Sequence, residues 1–202
     1  MDNSGRVMIN KIRWFIVRLI KPISEIIGKL HYAPHDRLLR ASMIKDMLDL
    51  IRSGDVIVAY SRGELTNPFI DGDFKHAAMY VGEGNIIQAI GKGVELEGFE
   101  DFCASKDRIA ILRPLFCDTS TAKIAAKAAK SQIDKPYDYY FEIGEQSFYC
   151  AELIEWAYKF ATHGASTFVR KDILGVNTVL PSDFYNAKSK FQLVIERPNN
   201  DN

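Results

Sequence analysis

The sequence lacks the features that mark a membrane-spanning, disulfide-bonded or nucleic-acid-binding protein. No run reaches the roughly 18 uninterrupted apolar residues that a membrane-spanning helix requires. The 202 residues carry 26 basic and 26 acidic side chains, so the surface as a whole offers no positive excess to a nucleic acid. Only Cys103, Cys117 and Cys150 are present, and their spacing matches neither a zinc knuckle nor a CxxC redox pair. We therefore expect reduced thiols, a cytoplasmic location, and neither metal nor cofactor.

The first 40 residues differ in character from the remainder. Between Arg6 and Leu30 the chain carries six Lys or Arg and a single Glu. Such a segment can pack on its own domain, lie in a membrane interface near anionic headgroups, or bind a protein partner. We predict that residues 1–40 are an amphipathic basic arm, bent or broken at Pro22, and that 41–202 form the folded domain. The helix pattern rests on apolar residues at alternating steps of four and three, namely Ile12, Ile16, Leu19, Ile23, Ile26 and Leu30.

Short strand-like segments occupy the middle of the domain, and helix-like segments surround them. This order favours an α+β arrangement over alternating βαβ units. The Ala/Lys-rich segment from Thr121 to Ile133 predicts a helix, since both residues have high helix propensity. MIKDMLDLI, at 43–51, predicts another. The predicted strands are 55–60, 76–82, 85–90 and 108–114.

HAAMYVG and NIIQAI are typical of a β-hairpin. A three-residue loop, 82–84, would end in a glycine able to adopt the left-handed conformation that such loops favour. That loop places Val81 opposite Asn85 and Ala78 opposite Gln88.

This register puts His76 and Gln88 on one face as diagonal neighbours. Long side chains in that relation can meet. The amide oxygen of Gln88 could then accept the proton of one imidazole nitrogen and orient the other. Taken singly, a histidine at a strand start is usually structural, and a glutamine on a half-buried strand is ordinary.

Cys150 stands at the start of a predicted helix, SFYCAELIEWAYKFA. The positive end of a helix dipole and a neighbouring imidazolium both favour the thiolate. Free backbone N–H groups at a helix start can also hold an oxyanion. A cysteine found there alone is most often a small buried hydrophobe. We assign no role to the remaining thiols and imidazoles, which are Cys103, Cys117, His31, His35 and His163.

Together these segments resemble the permuted papain-like amidases of the NlpC type. The resemblance covers about residues 52–198 and rests on GDVIVAY, HAAMYVGEGNIIQA, KPYDYYF, FYCAELIEWAY and LPSDFY, in that order. In that family the histidine strand precedes the cysteine helix, as it does here. It implies a circularly permuted papain-like fold, α+β, with a small antiparallel sheet packed against the helix that carries the cysteine.

The resemblance also implies a catalytic triad. Cys150 would be the nucleophile, His76 the general base and Gln88 the third polar residue, while Tyr137 of the Pro136-Tyr137 pair would lie near the oxyanion. A plain turn at Pro136 is an equal interpretation of that pair. A neutral amide can orient an imidazole but cannot stabilise the imidazolium with a full charge.

Relatives often carry Glu, His or Asn where Gln88 stands. Glu95 and Glu97, farther along the chain, are weaker candidates for the third position.

Three classes of function follow. The first is a thiol hydrolase acting on peptide, amino-acid or cell-wall-derived amides through an acyl-enzyme. The second is a thiol acyltransferase or lipid hydrolase, similar to the lecithin:retinol acyltransferase relatives, with peripheral membrane contact through the arm. The third is a non-catalytic binding module on the same scaffold.

Overall fold

In a computed structural model of the chain, an antiparallel sheet lies between two layers of helices. The structure describes residues 38–62, 70–139, 144–165, 168, 170–173 and 176–198. The helices are α1 (Ala41–Leu50), α2 (Phe99–Ala104), α3 (Thr119–Lys130), α4 (Cys150–Ala161) and α5 (Pro181–Asn186). The strands are β1 (Val56–Tyr60), β2 (His76–Gly82), β3 (Asn85–Ile90), β4 (Gly93–Gly98), β5 (Arg108–Pro114), β6 (Lys171–Ile173), β7 (Val176–Thr178) and β8 (Phe191–Arg197). All but the last three residues of the predicted arm lie outside the described residues.

The main sheet has six strands in the order β4-β3-β2-β1-β5-β8. Every neighbouring pair is antiparallel, and β6 and β7 form a separate two-stranded ribbon. This architecture confirms the predicted α+β class. No helix in the described ranges has the length and apolar character to cross a bilayer.

Alternate residues of each strand build two cores, because successive side chains point to opposite faces. In β1, Val56 and Val58 belong to the core formed with α3, α4 and α5. Ile57 and Ala59 belong to the core formed with α1 and α2. Burial on both faces explains why the β1 sequence is apolar without alternation.

The turn between β2 and β3 differs from the predicted one. Gly82, not Val81, lies opposite Asn85, and the register shifts between Tyr80 and Gly82. The loop therefore has two residues, Glu83 and Gly84, and both have positive φ, at 56° and 72°. Such a turn suits the right-handed twist of a hairpin.

Val81 is the extra residue of a β-bulge at this shift, and it restores the register that a two-residue loop alone would change. Ala78 consequently pairs with Gln88, as predicted.

Candidate active site

A chain of polar side chains runs across β2, β3 and β4 at one end of the sheet. The Nε2 atom of His76 lies 2.8 Å from Oε1 of Gln88. The amide nitrogen of Gln88 donates to Oε2 of Glu97 at 2.6 Å and lies 3.4 Å from Oε1 of Glu95. The register explains this contact, since Gln88 pairs with Ala78 on one side and with Glu95 on the other. Glu95 and Glu97 thus lie on the side of Gln88 that faces away from His76.

These contacts define how the imidazole of His76 is oriented. An amide oxygen only accepts hydrogen bonds, so the Nε2 atom facing it carries the proton. In the neutral imidazole the other nitrogen, Nδ1, then carries no proton. Gln88 is 5% exposed, so its hydrogen bonds are sheltered from competing water. The arrangement holds His76 in the tautomer that can accept a proton at Nδ1.

Cys150 is the first residue of α4 and is 6% exposed. Tyr149 precedes it in extended conformation, and its side chain makes no capping hydrogen bond. Its hydroxyl instead accepts from Thr178 Oγ1 at 2.6 Å and from the Val179 backbone N–H at 3.2 Å. The first turn of a helix carries backbone N–H groups without intrahelical acceptors. The N-cap side chain is thus directed away from the donors beside Cys150.

Backbone hydrogen bonds join the segments before α4 to the end of the sheet at which β2 begins. Val94, near the start of β4, donates to the carbonyl of Lys135 at 2.8 Å, and Phe148 donates to the carbonyl of Pro136 at 3.1 Å. Antiparallel pairing continues this line from β4 through β3 to the start of β2. The segments before Cys150 and the first residues of β2 therefore share one end of the sheet.

The two halves of the predicted site approach that end from opposite faces. His76 pairs with Ala59, a member of the core on the α2 side, and its ring lies 6.1 Å from that of Phe102 in α2. Ala151 and Leu153 of α4 pack in the other core. The proposed contact between Cys150 and His76 therefore requires the two side chains to meet at the end of the sheet, where α4 and β2 both begin.

Tyr137 lies between α3 and α4 in the chain and forms a parallel bridge with Phe148. Burial raises its pKa well above the ordinary value, and the charge of an ionised Cys150 raises it further. The structure thus brings Tyr137 into the surroundings of Cys150, and its hydroxyl stays protonated at physiological pH.

A buried carboxyl group beside Cys150 was missed by the sequence argument. Glu152 is 5% exposed, and burial followed by the charge of Asp138 raises its pKa to about 8. Its carboxyl group accepts a hydrogen bond from the backbone N–H of Tyr149. Glutamate three residues after an N-cap is a known capping position, and that spacing was the available signal.

The environments of the other two cysteines disfavour a thiolate. Burial, together with the charges of Glu100 and Glu97, strongly raises the pKa of Cys103. Burial and the charge of Asp118 raise the pKa of Cys117. Neither change favours a thiolate. His163 is exposed in the turn after α4, while His31 and His35 lie outside the described residues.

Comparison with known proteins gives one family and one solved structure. The family model described as permuted papain-like amidase enzyme, YaeF/YiiX, C92 family, matches residues 50–194. The crystal structure of metalloprotein yiiX from Escherichia coli O157:H7 is similar with a TM-score of 0.61 and 18% identity, over 73% of this chain and 98% of that one. A search of the curated proteins finds no match.

The yiiX protein is described as a metalloprotein. In the part of the present chain that the structure describes, no group of three or more His, Cys, Asp or Glu side chains is arranged to hold a metal ion. The likeness at this identity concerns the fold, whereas the family match spans well over half of the chain. The chain therefore belongs to the permuted papain-like amidase family of YaeF and YiiX, a family of hydrolytic enzymes.

Proposed function

We propose that the protein is a thiol amidase that cleaves amide bonds through a covalent acyl-enzyme on Cys150. The family match supports a hydrolase in general. The observation that carries the residue assignment is the 2.8 Å contact between His76 Nε2 and Gln88 Oε1, because it places the proton of the neutral imidazole on Nε2 and makes Nδ1 the basic nitrogen. The proposal requires the Cys150 sulfur within about 4 Å of that nitrogen, allowing for the loose contacts of resting sites.

The reaction begins when the Cys150 thiol passes its proton to Nδ1 of His76. The thiolate attacks the substrate carbonyl carbon, and backbone N–H groups at the start of α4 hold the resulting oxyanion. Tyr137, with its protonated hydroxyl, is the proposed additional donor. The C–N bond then breaks, and the imidazolium gives its proton to the departing amine.

The second half of the reaction releases the acyl group from the thioester. His76 takes a proton from water, and the resulting hydroxide attacks the thioester carbonyl. The C–S bond breaks, and the thiol recovers its proton from His76, so the sum is one water consumed for one amide cleaved. Chemistry of this kind draws only on the side chains and backbone donors named.

The proposed substrates are short peptides, amino-acid amides or cell-wall-derived amides, and not nucleic acids. Amides are the class that the family description names. The reducing cytoplasm is the proposed setting, and Cys150 forms no disulfide among the described residues. An ester or lipid substrate, reached through the basic arm, is the alternative outcome that a substrate panel distinguishes.

The test compares hydrolysis of aminoacyl and dipeptidyl 4-nitroanilides with that of short- and long-chain 4-nitrophenyl esters. We expect the Cys150→Ala and His76→Ala variants to lose at least about a thousandfold in rate, as removal of one member of a catalytic unit does in other enzymes. Cys117→Ala is the matched control and should retain wild-type rates. Preference for long-chain esters would replace the amide proposal with the lipid one, and equal rates in all variants would remove both.

Thiol labelling tests the same assignment without a substrate. Cys150 should react with iodoacetamide at neutral pH faster than Cys103 and Cys117, whose pKa values are raised by burial. Mass spectrometry of the labelled peptides measures each rate. His76→Ala should remove the advantage of Cys150, and uniform labelling of the three thiols in the folded wild-type protein would contradict a catalytic thiolate.

A further inference from the structure

The amide nitrogen of Gln88 faces two carboxylates, those of Glu95 and Glu97. The contact between Gln88 and His76 does not explain why these carboxylates are there. The shorter contact, 2.6 Å, joins its amide nitrogen to Glu97, and the longer one, 3.4 Å, joins the same nitrogen to Glu95. All three side chains project from neighbouring strands on one face, since Gln88 pairs with Glu95, and Ile86 pairs with Glu97.

A glutamine amide is ambiguous as an orienting group. Rotation by about 180° exchanges its oxygen and its nitrogen at nearly constant shape. With the oxygen toward His76, the Nε2 atom of the imidazole carries the proton. With the NH₂ group toward His76, Nε2 must accept, and the proton moves to Nδ1. That second state removes the base that the proposed reaction uses.

Ionised carboxylates resolve this ambiguity because they only accept hydrogen bonds. An amide oxygen turned toward Glu97 would face a negative oxygen without a proton between them. The amide nitrogen turned toward it makes a charge-assisted hydrogen bond, which is stronger than a neutral one. The low exposure of Gln88 leaves few waters to satisfy the reversed orientation.

We propose that Glu97, assisted by Glu95, is a positioning residue that fixes the Gln88 amide and thereby the tautomer of His76. The inference rests on the proposed function and extends the triad by one step into β4. Glu97 acts through Gln88 and touches neither the substrate nor the reacting atoms. The pair of carboxylates also supplies, through the polarised amide, the negative charge that a neutral third residue lacks.

Other charged groups surround Glu97 and bear on its ionisation. Burial raises its pKa, and the charge of Glu95 raises it further, as Asp101 does to a lesser extent. Lys106 and the hydrogen bond from Gln88 act in the opposite direction. Protonation of Glu97 on acidification would give this carboxyl group a hydrogen-bond donor. We therefore expect the fixed orientation of the Gln88 amide to be lost at low pH.

The direct readout is the tautomer of His76, measured by ¹⁵N spectroscopy of histidine-labelled protein at a pH where the imidazole is neutral. In the wild type we expect the proton on Nε2. Glu97→Gln has the same shape but can both donate and accept, so the Nδ1-protonated form should appear. Glu97→Asp keeps an acceptor-only group and should retain the wild-type tautomer. Glu100→Gln, an equal change of charge at an exposed position of α2, should do the same.

The second readout is the rate of Cys150 alkylation. Loss of one hydrogen bond to a charged group corresponds to at least about a tenfold change, so Glu97→Gln should slow the reaction by about that factor. In a Gln88→Glu background, Glu97→Gln should instead raise the alkylation rate. A carboxylate at position 88 is repelled by Glu97, and removal of the Glu97 charge relieves that repulsion. A purely structural Glu97 would lower the rate in both backgrounds.

The outcomes separate this inference from the proposed function. An unchanged tautomer in folded Glu97→Gln, alongside a Cys150 rate that still depends on His76, would overturn the role of Glu97 and leave the amidase proposal standing. Should Glu97→Gln fail to fold, a Glu97→Asp protein with the Nδ1-protonated form would equally overturn it. A Cys150 rate that is indifferent to His76→Ala would remove the proposed function itself.

Discussion

Glu152 carries a stability cost that depends on pH. Burial is the largest cause of its raised pKa, about 8 against an ordinary 4.5, and the charge of Asp138 adds to it. The N–H of Tyr149 and the charge of Arg170 offset part of this change. Among the described residues, one carboxyl oxygen of Glu152 has no hydrogen-bond partner. Between about pH 4.5 and pH 8, the folded protein therefore retains a proton at Glu152 that the unfolded chain releases.

The sign of the effect follows from linkage. Below pH 4.5 both states hold the proton, and from there to about pH 8 only the folded state does, so stability falls as pH rises through this window. Glu152→Gln cannot ionise and should be more stable than the wild type at pH 8, by on the order of a few kcal/mol, with little difference at pH 4.5. Urea denaturation at several pH values measures this. Glu83→Gln, in the exposed hairpin turn, is the control, and equal pH slopes for Glu152→Gln and the wild type would contradict the prediction.

At the scale of elements, Gly93 lies where β4 contacts the segment around Lys135, which precedes Tyr137 and Cys150 in the chain. Its φ is +119°, and a Cβ there would lie 2.4 Å from the carbonyl oxygen of Lys135. That carbonyl accepts from Val94, so it cannot move without loss of the link between β4 and the segment. Glycine at 93 is thus required by close backbone approach as well as by conformation.

Gly93→Ala should destabilise the protein by about 2 kcal/mol or more, since it adds a steric clash to the cost of an unusual backbone conformation. It should also slow alkylation of Cys150. Gly84→Ala is the matched control, because Gly84 has a φ of +72° with open space around it, so it isolates the conformational cost. Thermal unfolding compares the two, and equal losses would show that the approach of Lys135 is not limiting.

The strands with regular patterns were predicted closely, and their packing explains why. Strands β2, β3 and β5 have the predicted bounds, and β1 begins one residue later than predicted. Helix α3 begins at Thr119 instead of Thr121 because Asp118 caps it, accepting from the Thr121 N–H at 2.7 Å. The cap residue, three positions before the predicted start, carries that information better than helix propensity does.

Two strands of the sheet and helix α2 had no counterpart in the sequence argument. In β8 the register shifts between Ile111 and Leu112 of its partner β5, and such a bulge interrupts the alternation of period two. In β4 the alternation is present, but its polar members, Glu95 and Glu97, face Gln88 instead of solvent. Their role depends on pairing across three strands, which no local pattern contains.

At the scale of the whole molecule, the resemblance of five motifs in their order, with the histidine strand before the cysteine helix, indicated the permuted fold that the family match supports. The contact of His76 with Gln88 was predicted from a three-residue loop that the structure does not have, and it forms because the bulge at Val81 compensates for the shorter loop. The placement of the segments that precede Cys150 depends on tertiary hydrogen bonds, in which Val94 donates to the carbonyl of Lys135 and Phe148 donates to the carbonyl of Pro136. Local sequence patterns do not encode such contacts.

The family match begins at residue 50, so the role of the basic arm is a separate matter. If residues 7–30 form an interfacial helix, the full chain should bind anionic vesicles, gaining roughly 1 kcal/mol for each Lys or Arg near the surface, and salt should weaken this binding. A chain beginning at Leu38, which keeps the buried Leu39, should not bind. If the arm instead packs on the domain, its removal should lower the melting temperature and leave vesicle binding unchanged. Co-sedimentation of both chains at low and high salt distinguishes these cases, and the absence of a salt-sensitive difference would end the membrane hypothesis.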